Sequence, residues 1–211
     1  MNTFQYAEGS DLLGYLYHKH NCGWEGDRRT ERTVEVPIAD LWINRVAQLL
    51  HHTSPYQVPI WEVGAVTPYY WPGRVQRVID PYDEHPDVTD RTSLFAINFD
   101  HQAVLSISTL EHVEPDKFYD GAGFPPPTQA FLKLASEASL LLITTPFGQN
   151  GALDQALFLG DYQWEGLTIR YMVREEDESW RPATREEAIE RPYKRWANAI
   201  ALTEKGGLLG W

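Results

Sequence analysis

Strands are predicted over 60–63 and 75–79, and two further stretches, 103–107 and 140–144, are almost wholly apolar and bounded by polar residues. Runs of this length, rich in Val, Ile and Leu, predict strands buried on both faces, as in a parallel sheet. A further strand is predicted over 94–99. Between them the period changes. Ile38, Leu41, Trp42, Arg45, Val46, Leu49 and Leu50 recur at helical spacing, so 37–50 is expected to be an amphipathic helix with Pro37 in its first turn. Gln129 to Ala138, with Phe131, Leu132, Leu134 and Ala135 apolar, predicts a second helix capped by Thr128. Strand and helix in alternation argue for an α/β fold.

The last third differs. Strands are expected over 161–173 and 197–202, with the run REEDE at 174–178 as a solvated turn between them. Thr184-Arg185-Glu186-Glu187 has the form of a capping box that opens a short helix. Residues 116–127 form a Gly- and Pro-rich loop. The chain is expected to be one domain, with residues 1–57 an N-terminal helical segment and 58–211 the α/β core.

Candidate chemistry gathers where the strands end. After the run Ala103-Val104-Leu105-Ser106-Ile107-Ser108 come Thr109-Leu110-Glu111-His112, two titratable side chains at the expected carboxyl end of a strand. Open α/β sheets bind ligands there. Asp80 ends the second strand about 16 residues past Gly64, near the spacing at which dinucleotide-type folds place the acid that binds ribose hydroxyls. The competing reading is a turn aspartate, because Asp80-Pro81 favours a turn by itself.

The wording LSISTLEHV resembles the segment after the fourth strand of class I S-adenosylmethionine-dependent methyltransferases. Pro59 to Gly64, PIWEVG, resembles the family's first strand and the opening of its glycine loop. Ala138 to Asn150, ASLLLITTPFGQN, resembles the fifth strand and its loop. Glu31 to Pro37 resembles the lead-in of a bacterial methyltransferase-like group with unassigned substrate. The likeness covers most of the chain from about residue 31. It implies a Rossmann-like class I methyltransferase sheet, mostly parallel with a reversed C-terminal hairpin, and S-adenosylmethionine as cofactor. It further implies Glu62, Gly64, Asp80, Asp90, Ser106 and Ser108 as cofactor-binding residues, with Asp87 competing with Asp90. His112 and Glu111 become the catalytic candidates. Histidine suits a general base because it titrates near neutrality, and Glu111 is expected to orient rather than react. A loop histidine bonded to backbone is the plainer alternative.

One departure from the family pattern stands out. Ala65-Val66-Thr67-Pro68 replaces the further glycines of the loop. A non-glycine residue forced to positive φ costs roughly 1–2 kcal/mol, unless Pro68 and Pro72 set another path. Two functions are therefore carried forward: methyl transfer to a small-molecule or carbohydrate-like acceptor, and a methyltransferase-fold binding or scaffold protein without transfer. A nicotinamide-dependent oxidoreductase fits Glu62, Gly64 and Asp80 but leaves LSISTLEHV unexplained.

Composition narrows the partners. Thirty acids against 18 bases give a net charge of −12, which argues against a nucleic-acid partner, since phosphate backbones are bound by Lys and Arg. No stretch approaches the length of a membrane span and no signal peptide is evident, so a cytoplasmic protein is expected. A single cysteine, Cys22, excludes an internal disulfide. His18, His20 and Cys22 could ligate zinc, but no second cluster at fixed spacing accompanies them and no metal site is expected. The oligomeric state is not legible.

Overall fold

The computed structural model describes residues 30–116, 125–160, 164–177, 179–191, 193 and 197–210. The N-terminal helices expected before residue 30, and His18, His20 and Cys22, lie outside them. Seven strands form one sheet: β1 (Val58–Val63), β2 (Val75–Ile79), β3 (Ala103–Ile107), β4 (Leu140–Pro146), β5 (Thr168–Arg174), β6 (Trp180–Ala183) and β7 (Ala199–Lys205). Their spatial order is β2-β1-β3-β4-β7-β5-β6. The pairs β1–β2, β1–β3 and β3–β4 are parallel, whereas β4–β7, β5–β7 and β5–β6 are antiparallel. An isolated parallel bridge, Ile79 to Asp90, extends the sheet beyond β2.

The strictly alternating side chains of the central strands divide the core in two. Ala103, Leu105 and Ile107 of β3 face helix α1 (Arg32–Leu49), joining Ile38, Trp42, Ile43 and Val46. Val104 faces the other way, onto helix α2 (Pro126–Glu137) through Phe131 and Leu134. That second face also carries α3 (Gly151–Asp154), which runs into a π-helical turn at Gln155–Leu159, and α4 (Arg185–Ile189). All five residues of β3 are buried, which explains why the strand shows a continuous apolar run rather than alternation with polar residues.

Several expectations shift against these elements. The first helix starts at Arg32, so Pro37 lies inside it rather than in the first turn. Residues 94–99 are not a strand: Leu94–Ala96 form a 3₁₀ turn capped by the Ser93 hydroxyl, which accepts from the Phe95 N–H. Helix α2 begins at Pro126, preceded by Pro125 at its N-cap, and Thr128 sits inside; proline at the first helical positions forfeits only N–H groups that would be unpaired anyway. The C-terminal portion holds three strands instead of two. The reversed strand β7 is inserted between β4 and β5, and β6 adds an outer antiparallel edge. The capping box forms as expected, with Thr184 and Glu187 exchanging bonds.

Candidate active site

Strand β1 pairs with β2 on one side and β3 on the other, so the chain leaves β1 in one direction and returns in the other. Outside the carboxyl ends of such strands a crevice opens where ligands bind. Here the crevice is lined by Gly64, Asp80, Thr109 and His112, with apolar Ile79, Leu94 and Phe95 on its walls. Its cavity volume is about 130 Å³, smaller than the roughly 300–1,000 Å³ usual for small-molecule sites, and its mouth opens to solvent.

Gly64 has φ +89°, and a Cβ there would lie 2.0 Å from the Thr109 hydroxyl. Glycine is thus required twice over, by backbone conformation and by the close approach of the β3 turn. The residues after it are not strained. Among the described residues positive φ at non-glycine positions occurs only at His51, Gln57, His101 and Ser108, so Ala65 and Val66 take ordinary conformations. The chain instead folds inward: Ala65 and Val66 are buried, and Thr67–Tyr69 make a 3₁₀ turn. Glu62 organises it. Its carboxylate accepts from the N–H of Val66 (3.1 Å) and of Thr67 (2.8 Å), and from the Thr67 hydroxyl. Burial pushes the Glu62 carboxyl up to about 7, against those three hydrogen bonds. Glu62 therefore serves the loop from within the core and does not line the crevice, contrary to the expectation of a cofactor contact.

Asp80 follows β2 at the same edge. Its Oδ1 accepts from the N–H groups of Tyr82 (2.9 Å) and Asp83 (2.9 Å), an Asx-type turn. The turn reading of this residue is met, and Asp80 also lines the crevice. Asp90 is placed differently. Its carboxylate pairs with Arg77 and accepts from Thr92 N–H, and these bonds outweigh the upward push of burial to hold its pKa low. With both oxygens committed, it stands outside the crevice; Ser93, Leu94 and Phe95 line that wall.

At the end of β3 the chain turns sharply. Ser106 is fully buried and its hydroxyl donates to the Val63 carbonyl (3.0 Å), tying β3 to β1. Ser108 has φ +38°, a left-handed conformation of the kind that marks constrained sites. Neither serine lines the crevice. Ser108 bonds instead to Thr144 through its N–H (3.1 Å) and to Glu35 of α1 through its hydroxyl (2.5 Å). The turn then swings Thr109 over Gly64 and begins a 3₁₀ turn at Leu110–His112.

The two titratable residues of that turn differ in exposure. His112 reaches the crevice with 67% of its side chain exposed. Partial burial and the Arg32 charge lower its pKa, leaving the imidazole neutral at pH 7. Glu111 is buried, its side chain 1% exposed. Burial raises its pKa to about 8, assisted by Glu35 and Glu31 and opposed by Arg32. Asn150, which caps α3, also donates to the Glu111 carbonyl (3.1 Å) and so fixes the turn.

A charged network behind Glu111 escaped the sequence reading. Glu35 is fully buried and accepts from Ser108, from Thr144 (2.8 Å) and from Arg32 (2.9 Å). Arg32 also donates to the Ile107 carbonyl (3.3 Å). Arg32, at the start of α1, thus ties the helix to the end of β3. The available signal was Glu35 on the apolar stripe of the first helix, a position that burial permits only with partners.

No family model matches this chain, and no curated protein does. Among solved structures it is similar to magnesium protoporphyrin IX methyltransferase (ChlM) from Synechocystis PCC 6803 with bound S-adenosylmethionine. Identity is 14% over 95% of this chain and 93% of that one, with a TM-score of 0.40. It is also similar to the putative RNA methyltransferase PH1948 from Pyrococcus horikoshii, at 13% identity over 94% of each chain and a TM-score of 0.42. Contrary to the expectation above, net charge does not exclude a nucleic-acid partner. The physical reason is that a whole-chain charge of −12 does not describe the potential at one local surface. No helix among the described residues is long and apolar enough to cross a membrane.

Proposed function

We propose that the chain is an S-adenosylmethionine-dependent methyltransferase. The observation that carries this reading is the crevice at the β1/β3 switch point, where an acid at the end of β2 faces a glycine at the end of β1. Asp80 suits the ribose diol. Its Oδ1 is held by the turn, while Oδ2 makes no hydrogen bond among the described residues and is placed to accept from hydroxyls. Gly64, which carries no Cβ and so admits the close approach of Thr109, presents its backbone to the crevice. Leu94 and Phe95 offer apolar walls for a purine. S-adenosylmethionine supplies an electrophilic methyl group on sulfonium; the protein's share is to orient an acceptor and take its proton. The order β2-β1-β3-β4-β7-β5, with β7 reversed, supports the class I methyltransferase fold that the motifs imply. The scaffold alternative rested on strain in residues 65–68, and their unstrained inward path removes that motive.

Calorimetry with S-adenosylmethionine tests the proposal. Binding in the micromolar range is expected, about −8 kcal/mol. Asp80→Ala should weaken it by about 1.5–3 kcal/mol, the loss typical of hydrogen bonds to a charged group. Absence of heat and of any thermal shift at millimolar cofactor would rule the methyltransferase reading out.

A further inference from the structure

A second cavity lies apart from the crevice and shares none of its lining residues. Its volume is about 410 Å³, against about 130 Å³ for the crevice. Topology places it. Helix α2 follows β3 and α3 follows β4, and both pack on the same face of the sheet, so each begins at the carboxyl edge. The cavity is lined by Pro125 and Thr128 at the start of α2 and by Ala152 at the start of α3. It therefore opens between two helix N-termini at that edge. Leu132, Ala156 and Trp164 complete an apolar wall, and Gln155 is exposed at the rim.

The lining determines what fits. It holds no Lys, Arg, His, Asp or Glu, so a charged ligand would lose its hydration without gaining a partner. An apolar cavity of roughly 150 Å³ already admits benzene, and about 410 Å³ leaves room for two fused rings. Trp164 supplies an aromatic partner for them. Its indole meets Phe131 edge to face, with centroids 5.2 Å apart and planes at 68°. Phe131 is fully buried in the core, so the indole rests on a fixed neighbour. A ligand ring packed on Trp164 gains the contact that aromatic pairs prefer.

One hydrogen-bonding side chain on the wall is unspent. Thr128 is buried, and its Oγ1 makes no hydrogen bond among the described residues. Threonine in a helix divides between two χ1 rotamers, so its hydroxyl and methyl can exchange places at the wall. The Thr128 N–H is also the first donor of α2, because Pro126 and Pro127 carry none and no side chain caps the helix. Two donors on one residue match a carbonyl oxygen, which has a lone pair for each.

We propose that this cavity binds a neutral bicyclic aromatic molecule bearing one carbonyl, with its rings on Trp164 and its oxygen at Thr128. The site is separate from the cofactor crevice and does not depend on the methyltransferase reading.

Calorimetry and thermal shift on the full chain test this with three probes: coumarin, naphthalene, which lacks the carbonyl, and coumarin-3-carboxylate, which adds a charge. Coumarin should bind one to one, and the carboxylate at least about tenfold more weakly. Thr128→Val should weaken coumarin about threefold or more and leave naphthalene within about twofold. Ala152→Leu, which adds bulk to the wall, should weaken both about tenfold or more. If Ala152→Leu fails to fold, the contrast between coumarin and naphthalene in Thr128→Val decides alone. Absence of coumarin binding at millimolar concentration, equal binding of the carboxylate, or coumarin affinity unchanged by Thr128→Val would overturn the site.

Discussion

Two glutamates, each beside a strand end at the same edge, invite comparison: Glu62 in β1 and Glu111 after β3. Both are buried and both have raised pKa values, about 7 and about 8. Their partners separate them. Glu62 gathers three donors from one loop, two of them backbone N–H groups. Glu111 leaves Oε2 without any among the described residues. Burial with a raised pKa is therefore not a mark of chemistry by itself. An unspent hydrogen-bonding capacity is the better guide, because a structural acid is consumed by the structure it serves.

The largest effect expected from this contrast is on folding. Glu62→Ala strands the N–H groups of Val66 and Thr67 in the interior, at about 1–3 kcal/mol for each unsatisfied group. For a chain of this size a loss of about 3 kcal/mol lowers the melting temperature by roughly 10 °C. A thermal melt that moves by less than about 2 °C would show that the loop is held by something else.

A smaller effect, and one of opposite sign, is expected at Glu111. Its folded pKa is above its unfolded value, so its contribution favours folding below about pH 4.5 and is lost as pH rises toward about 8. Glu111→Gln removes that titration. The unfolding free energy of the variant relative to wild type, from denaturant titration, should rise between pH 5 and pH 9 by an amount on the order of 3 kcal/mol. A flat difference across that range would mean that the carboxyl is solvated.

The smallest effect concerns His112, which lines the crevice from an exposed position. His112→Ala should leave cofactor affinity within about threefold, less than 1 kcal/mol. A weakening of more than about tenfold would place the imidazole against the cofactor.

How far the sequence foretold this arrangement depends on the kind of signal. Strands β3 and β4 were legible because central strands buried on both faces are almost continuously apolar, and β1 and β2 through their short Val- and Ile-rich segments between turn residues. Residues 94–99 misled because Leu94, Ile97 and Phe99 are buried at irregular spacing around a 3₁₀ turn, which an apolar run alone cannot distinguish from a strand. The edge of the site was legible through Gly64, Asp80 and His112. The individual roles of Glu62, Asp90, Ser106 and Ser108 were not, because each is fixed by a partner distant in sequence or by a turn whose path the motif does not dictate. Ser106 bonds to Val63, and Ser108 to Glu35 across 73 positions. Contacts of that range follow from topology, not from local pattern.

The insertion of β7 between β4 and β5 bears on how the chain assembles. The strand that joins the parallel half of the sheet to the β5–β6 hairpin is the last of the seven made, at Ala199–Lys205. Until it emerges, β4 keeps an open edge and the Thr168–Ala183 hairpin has no strand to join. Open apolar edges invite pairing with other chains, and closure that waits on distant segments slows folding. A nascent chain stalled before residue 199 is therefore expected to be aggregation-prone, even with the crevice residues already synthesised.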